Sequence, residues 1–322
     1  MKRAAFSIWL ICSSVWALAA AEDQGSALVV VGVGGEDEYA AEFAGSAQSW
    51  SKGCAAGGVK ALAIGVEAAE KDSLARLRAA LEKEPKDAAT PLWLVLFGHG
   101  TFGGGEGKFN LRGNDLAAGE LAAWLKPFTR PVIVVCGFSA SGAFLKPLVG
   151  PNRVIITATR SGAENNYSRF GGYFAEAVAS AKADLDQDGQ TSVLEAWLSA
   201  AQRVNEFYAG EGRLATEHSL LEDNGDGLGT PADWFKGVRA ERRSKDGRAP
   251  DGLRAHQIQL VPSKAERLLP PAVRQERDAL ELELGRLREA KGTMPEEEYL
   301  GKIEPVLRRI AQLYQKAAEE TR

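Results

Sequence analysis

Two short stretches bring together residues able to do covalent chemistry, LVLFGHGTFGGGEG and VIVVCGFSASGAF. In the first, His99 stands between Gly98 and Gly100 directly after an apolar run. In the second, another apolar run ends in Cys136, Ser139 and Ser141 among small residues. An imidazole beside a thiol or hydroxyl can take its proton, while backbone N–H groups of a glycine turn hold a developing oxyanion. The chain has only three histidines, His99, His218 and His256, so His99 is the base to consider. The plainer alternatives are that His99 is a turn residue among glycines and that Cys136 is a small buried hydrophobe, the usual state of a free cysteine.

A third stretch, DLDQDGQTSVLE, fits the D-x-D-x-D-G-x5-E pattern of an EF-hand calcium loop at each ligand position. Asp184, Asp186 and Asp188 supply carboxylates, and Gly189 permits the sharp turn. Gln190 offers its backbone carbonyl, Ser192 holds the ninth position and Glu195 can close the shell with two oxygens. Thr191 departs from the usual aliphatic residue at the eighth position. One loop among helices is expected to fix those helices with a structural Ca2+. A later stretch, LEDNGDGLGTPAD, repeats part of the spacing at Asn224, Asp226 and Gly227. Glu222 and Asp233 fit its ends poorly, so it reads as a turn.

The elements that must position these residues are β-branched runs alternating with helical patterns between Ala27 and about Thr159. ALVVVGVG, VKALAIGV, PLWLVLFG, PVIVV and RVIITAT read as strands, apolar at successive positions and therefore covered on both faces. Helical stripes lie between them: Tyr39, Phe43, Ala47 and Trp50; Leu74, Leu77 and Leu81 behind the cap-like Ser73; then Leu121, Trp124 and Leu125. The expected fold class is α/β, a mostly parallel sheet sandwiched by helices. Ligands of such sheets bind beyond the carboxyl ends of the strands, where His99 and Ser139 both fall.

After Thr159 the pattern is helical, with stripes at Phe170, Tyr173, Phe174, Ala177, Val178 and at Leu194, Trp197, Leu198, Ala201, Val204, Tyr208. A charged, irregular stretch over 235–269 reads as a surface connection. Residues 270–322 read as a helical hairpin with stripes through Leu280, Leu284, Leu287 and through Ile303, Val306, Leu307, Ile310, Leu313. Thr293 to Glu296 fits a capping box at the start of its second helix. The hairpin is also where a partner protein could bind.

Residues 1–21 place Lys2 and Arg3 before an apolar run that ends in Ala-x-Ala spacing, which reads as a secretory leader. Export to a periplasmic or extracellular site follows, with no membrane span after the leader is removed. The net charge of −4 gives no reason to expect a nucleic acid partner. Of three cysteines only Cys54 and Cys136 lie beyond the leader, so the fold is not built on disulfides, and their redox state is open.

With these residues in place the chain resembles the caspase and legumain type of cysteine peptidase, with bacterial legumain-like proteins nearer. The resemblance rests on the apolar-His-Gly turn, on NLRGNDLAAGELAAWL, on the next strand and on the Ser-Gly turn. It runs over the 22–234 region and does not cover 270–322. It implies a catalytic role for His99, an oxyanion-hole role for Gly100 and a peptide or protein as substrate or ligand. Matching Ser141-Gly142 to the family's Ser-Gly places Ser139 in the slot of the nucleophilic cysteine and Ala140 on the following glutamate. A serine there needs stronger assistance than a thiol, and no orienting carboxylate stands out. Glu38, Ala40 and Ala41 replace the polar and basic set with which legumain-like enzymes read asparagine. Three assignments stay open: Ser139 as nucleophile, Cys136 as nucleophile, or a calcium-stabilised module that binds without cleaving. An esterase-type elbow fits less well, since Ser141 occupies the place of the last glycine in G-x-S-x-G.

Overall fold

Strands that are apolar at every position can satisfy both faces only inside a sandwich, and that is how they are placed. The structure is a computed structural model describing residues 24–67 and 69–320; the leader read at 1–21 lies outside the described residues. β1 (Ser26–Val31), β2 (Lys60–Ile64), β3 (Leu92–Gly98), β7 (Val132–Phe138) and β8 (Arg153–Thr157) pair in parallel. β4 (Gly100–Gly103), β5 (Glu106–Phe109) and β6 (Leu116–Ala117) form a separate small antiparallel sheet inserted after β3. β9 (Leu220–Glu222) and β10 (Thr230–Pro231) extend the large sheet in antiparallel fashion, giving the order β10-β9-β8-β7-β3-β1-β2.

The period of two sorts each strand's side chains onto two cores. Val29, Val31, Val95, Phe97, Ile133 and Val135 face α1 (Asp37–Gly57), α5 (Phe170–Ala177) and α6 (Val193–Gly210). Trp50 stacks on Phe174 there, ring centroids 5.8 Å apart. Leu28, Val30, Leu94, Leu96, Val134 and Cys136 face α2 (Ser73–Lys83), α3 (Ala118–Leu125) and α4 (Gly142–Leu148). The fold is thus mixed α/β with a mostly parallel central sheet flanked by helices. Cys54 belongs to the first core and Cys136 to the second, both free, with the sheet between them. Among the described residues no helix is long and apolar enough to cross a membrane.

Some local readings change. α2 is capped by Asp72, whose carboxylate accepts the Ala75 N–H, rather than by Ser73. The 235–269 stretch is more than a surface connection: Ala255 within α7 (Leu253–His256) and Leu260 after it are fully buried in the first core, and α8 (Lys264–Leu268) follows. α9 (Pro271–Ala290) and α10 (Glu296–Glu320) pack on each other through Leu284, Tyr299, Ile303 and Val306. The Thr293 hydroxyl donates to the Ala290 carbonyl, so it serves the end of α9 and not the start of α10.

Two buried carboxylates fasten the turn after β9. Asp251 Oδ1 accepts the N–H groups of Asp223 (2.8 Å) and Asn224 (3.0 Å), and Oδ2 accepts the Thr230 hydroxyl (2.7 Å). Asp223 in turn accepts from the N–H groups of Gly252, Arg254 and Ala255. Burial, and after it the neighbouring carboxylate of Asp223, pushes Asp251 from 3.8 up to about 7. The folded chain therefore holds this proton more tightly than the unfolded one. The stability it contributes is complete below about pH 4 and lost as pH rises through about 7. The melting temperature should rise on acidification from about pH 8 to about pH 5, and Asp251→Asn should reduce that slope. A slope unchanged in the variant, measured by scanning calorimetry, would contradict this account.

Candidate functional site

The register of the two central strands decides what meets at the carboxyl edge. Gly98 of β3 lies opposite Phe138 of β7, so His99 and Ser139 are the first residues beyond the paired strands and stand level with each other. Gly100 is pressed against this turn. A Cβ on it would come within 2.3 Å of the Ser139 carbonyl oxygen and 2.6 Å of Phe138 Cδ2, so only glycine lets the two backbones approach.

The two side chains nevertheless turn to different partners. The half-buried His99 bonds through Nε2 to the Gly34 carbonyl oxygen at 3.1 Å. Its ring is packed edge-on against Tyr39 (5.1 Å) and Phe43 (5.0 Å), with Tyr167 at 6.1 Å. Ser139 is 2 % exposed; its hydroxyl accepts the Gly100 N–H (3.0 Å) and donates to the Gly100 carbonyl (3.2 Å). Among the described residues no hydrogen bond joins His99 to Ser139. The same contact occupies the Gly100 N–H, the donor assigned to an oxyanion hole. Cys136 is fully buried in the core on the other side of the sheet from the His99 ring, and burial pushes its thiol well above the usual range. A thiol so placed is neither ionised nor reachable.

At this edge the sequence reading named Ala140, Ser141, His218 and Tyr39 but not the contacts they make, and it did not single out Glu164 or Tyr167. Ala140 has a φ of 58°, a left-handed conformation that costs a residue with a Cβ roughly 1–2 kcal/mol. It is held there by its N–H donating to the Glu164 carbonyl at 2.7 Å, and its methyl is buried. The Glu164 carboxylate pairs with His218 Nδ1 (2.6 Å) and Arg160 Nε (2.9 Å), so a second histidine stands one residue contact from the turn. Ser141 accepts the N–H groups of Ala158 and Thr159 and ties the turn to the end of β8. The rings of Tyr39 and Tyr167 lie 4.7 Å apart beside His99, tilted by 32°, with the Tyr167 hydroxyl donating to Glu42. Only the aromatic stripe of α1 offered any sign of this wall in advance.

The 184–195 loop forms a separate constellation. Asp184, Asp186 and Asp188 bring carboxylate oxygens within 4.8 Å of one another. The turn between them is closed by the Gly189 N–H donating to Asp184 Oδ2 at 3.0 Å, with Gly189 at φ +89°. Ser192 and Glu195 make a reciprocal capping box at the start of α6. Glu195 also folds back on the loop, its Oε1 accepting the N–H groups of Leu185 (2.8 Å) and Asp186 (3.2 Å). His256 reaches in from outside, Nε2 lying 3.0 Å from Asp186 Oδ2. The donor set contributed by the loop itself is all oxygen, which suits a hard divalent cation.

No family model matches the sequence, and no match to a curated protein is found. Among solved structures, the chain is similar to a protein from Geobacter sulfurreducens at 12% identity, covering 64% of this chain and 97% of that one, with a TM-score of 0.44. It is also similar to the Drosophila initiator caspase Dronc at 11% identity (65% of this chain, 82% of that one, TM-score 0.43). A third is caspase-1 from Spodoptera frugiperda at 13% identity (62% of this chain, 86% of that one, TM-score 0.39).

Replacing Ser139 by alanine removes both hydrogen bonds to Gly100 and leaves its buried N–H without that partner. Ser139→Ala should destabilise the protein by about 1–3 kcal/mol in denaturant unfolding. An unchanged midpoint would mean that the Ser139 hydroxyl does not hold the turn.

Proposed function

We propose that this chain is a caspase-type module that binds a peptide or protein at the edge beside His99 without cleaving it. One observation carries this reading: the Ser139 hydroxyl, in the slot of the nucleophile, both donates to and accepts from Gly100. A hydroxyl so engaged has no proton directed at the imidazole, and His99 has its own bond to Gly34. The burial of Cys136 on the opposite face supports the same conclusion. What the edge offers instead is a binding surface, with the aromatic pair Tyr39 and Tyr167 and the half-exposed Phe102, which sits against Gly162. In this reading the leader exports the protein, and the 184–195 loop holds Ca2+ through Asp184, Asp186, Asp188, the Gln190 carbonyl, Ser192 and Glu195. The role of the ion is structural, since the loop joins α5 and α6, two helices that both pack into the first core.

Intact-mass spectrometry of the mature protein with a fluorophosphonate, and separately with an acyloxymethyl-ketone peptide, tests the catalytic question. The expected result is no adduct that depends on His99. An adduct lost in His99→Ala and in either Ser139→Ala or Cys136→Ala would establish a hydrolase and overturn the proposal. Peptides selected from a display library should bind wild type and lose at least about tenfold in affinity for Phe102→Ala, a loss of roughly 1.4 kcal/mol.

Calorimetric titration with Ca2+ should show one site, in the range of about 10⁻⁴ to 10⁻³ M typical of extracellular modules. Asp184→Asn with Asp188→Asn should abolish it, and a chelator should lower the melting temperature of wild type only.

A further inference from the structure

The 184–195 loop does more than join two helices, because the chain returns to it from far away. Residues 256–263 run along it as a strap. Ser192 and Gln259 form an antiparallel bridge, and the Val193 N–H donates to the Ile258 carbonyl at 2.8 Å. The Ser263 N–H donates to Gln190 Oε1 at 3.0 Å, and His256 meets Asp186. The strap is anchored beneath by Leu260, fully buried against α1, where a Cβ on Gly57 would lie 1.9 Å from the Leu260 carbonyl oxygen.

On its other side the strap holds α9. Gln257 Nε2 donates to the Asp278 carbonyl (2.9 Å) and to Glu281 (3.2 Å). Just beyond it, Glu266 of α8 receives both terminal nitrogens of Arg277, at 2.6 and 2.8 Å, in a buried fork-to-fork pair. Arg267 of the same short helix donates to the Ala56 carbonyl of α1 at 2.9 Å. A cavity of about 450 Å³ lies at this junction, bordered by Asp188, Gln190, Gln257, Arg277, Glu281 and Tyr314. Loop, strap and helical pair therefore meet around one space that is not packed solid.

We propose that the cation held by the 184–195 loop sets the docking of α9 and α10 on the α/β domain through the 256–263 strap; this rests on the reading of the loop as a Ca2+ site. Three carboxylates gathered within 4.8 Å repel one another when no cation is bound. That repulsion works against the loop geometry that presents Ser192, Val193 and Gln190 to the strap. A bound divalent ion removes it and draws the loop together. Gln257 is the element that separates binding from coupling. It lies on the strap and ties it to α9, whereas the Gln190 side chain bonds both Ser263 and the ligand Asp188.

Hydrogen–deuterium exchange on the full mature protein, in millimolar Ca2+ and in chelator, tests the proposal alongside calorimetric titration of the same samples. Ca2+ should slow exchange at least about threefold in 256–263 and in α9, as well as in the loop. Gln257→Ala, which removes the donor to the Asp278 carbonyl and to Glu281 and touches no ligand of the loop, should keep Ca2+ affinity within about twofold while losing most of that slowing in α9. Titration showing Ca2+ bound, with exchange in 256–290 unchanged, would overturn the coupling and leave the calcium reading standing. Titration showing no Ca2+ bound would overturn both.

Discussion

The pairing of β3 with β7 is the constraint on which the rest depends. Both strands are buried at every position, both faces are committed to separate helical layers, and Gly98 is fixed opposite Phe138. A slip of one residue would exchange the two faces of a strand, placing Cys136 where Val135 packs and Phe97 where Leu96 packs. Because the cores forbid that, the residues just beyond the strands have no choice of neighbour. Gly100 must lie against Ser139, and the Ser139 hydroxyl finds both backbone groups of Gly100 within reach.

From that contact the character of the edge follows. The β7–α4 turn is held on three sides: by Gly100, by the Glu164 carbonyl that keeps Ala140 left-handed, and by Ser141 at the end of β8. A turn so fully bonded to backbone is rigid, and rigidity here serves placement of the surrounding surface. His99 contributes to the same end, locked between Gly34 and an aromatic wall. The Ser139 hydroxyl already has a donor and an acceptor in Gly100, and His99 Nε2 has its partner in Gly34.

The parallel sheet and its helical layers were legible because long β-branched runs, apolar at successive positions, have one inexpensive arrangement. The stripe of Phe43, Ala47 and Trp50 was legible for the same reason. β9 and β10 were not, since strands of three and two residues carry no period. The burial of Ala255 and Leu260 was hidden by the charges around them, most of which sit on the outside, while Asp251 and Glu266 are buried against partners of their own. Ser139 could be placed at the edge from its position after a strand, but its hydrogen-bond partners depend on register across 39 residues of chain. Asp72 and Ser73 are equally good caps on paper, and the choice turns on which oxygen meets the Ala75 N–H. The strap at 256–263 and the partnership of His218 with Glu164 join residues 54 or more positions apart, and no local pattern announces such contacts.

The two cysteines sit at equivalent depth on opposite sides of one sheet, Cys54 on α1 in the first core and Cys136 on β7 in the second. Burial pushes the Cys54 thiol up to about 12 and the Cys136 thiol higher still, so neither reacts until its own layer opens. The molecule thus carries a native label on each half of its interior. The relative rates at which a thiol reagent modifies the two would tell whether the helical layers detach one at a time or the sandwich comes apart as a whole.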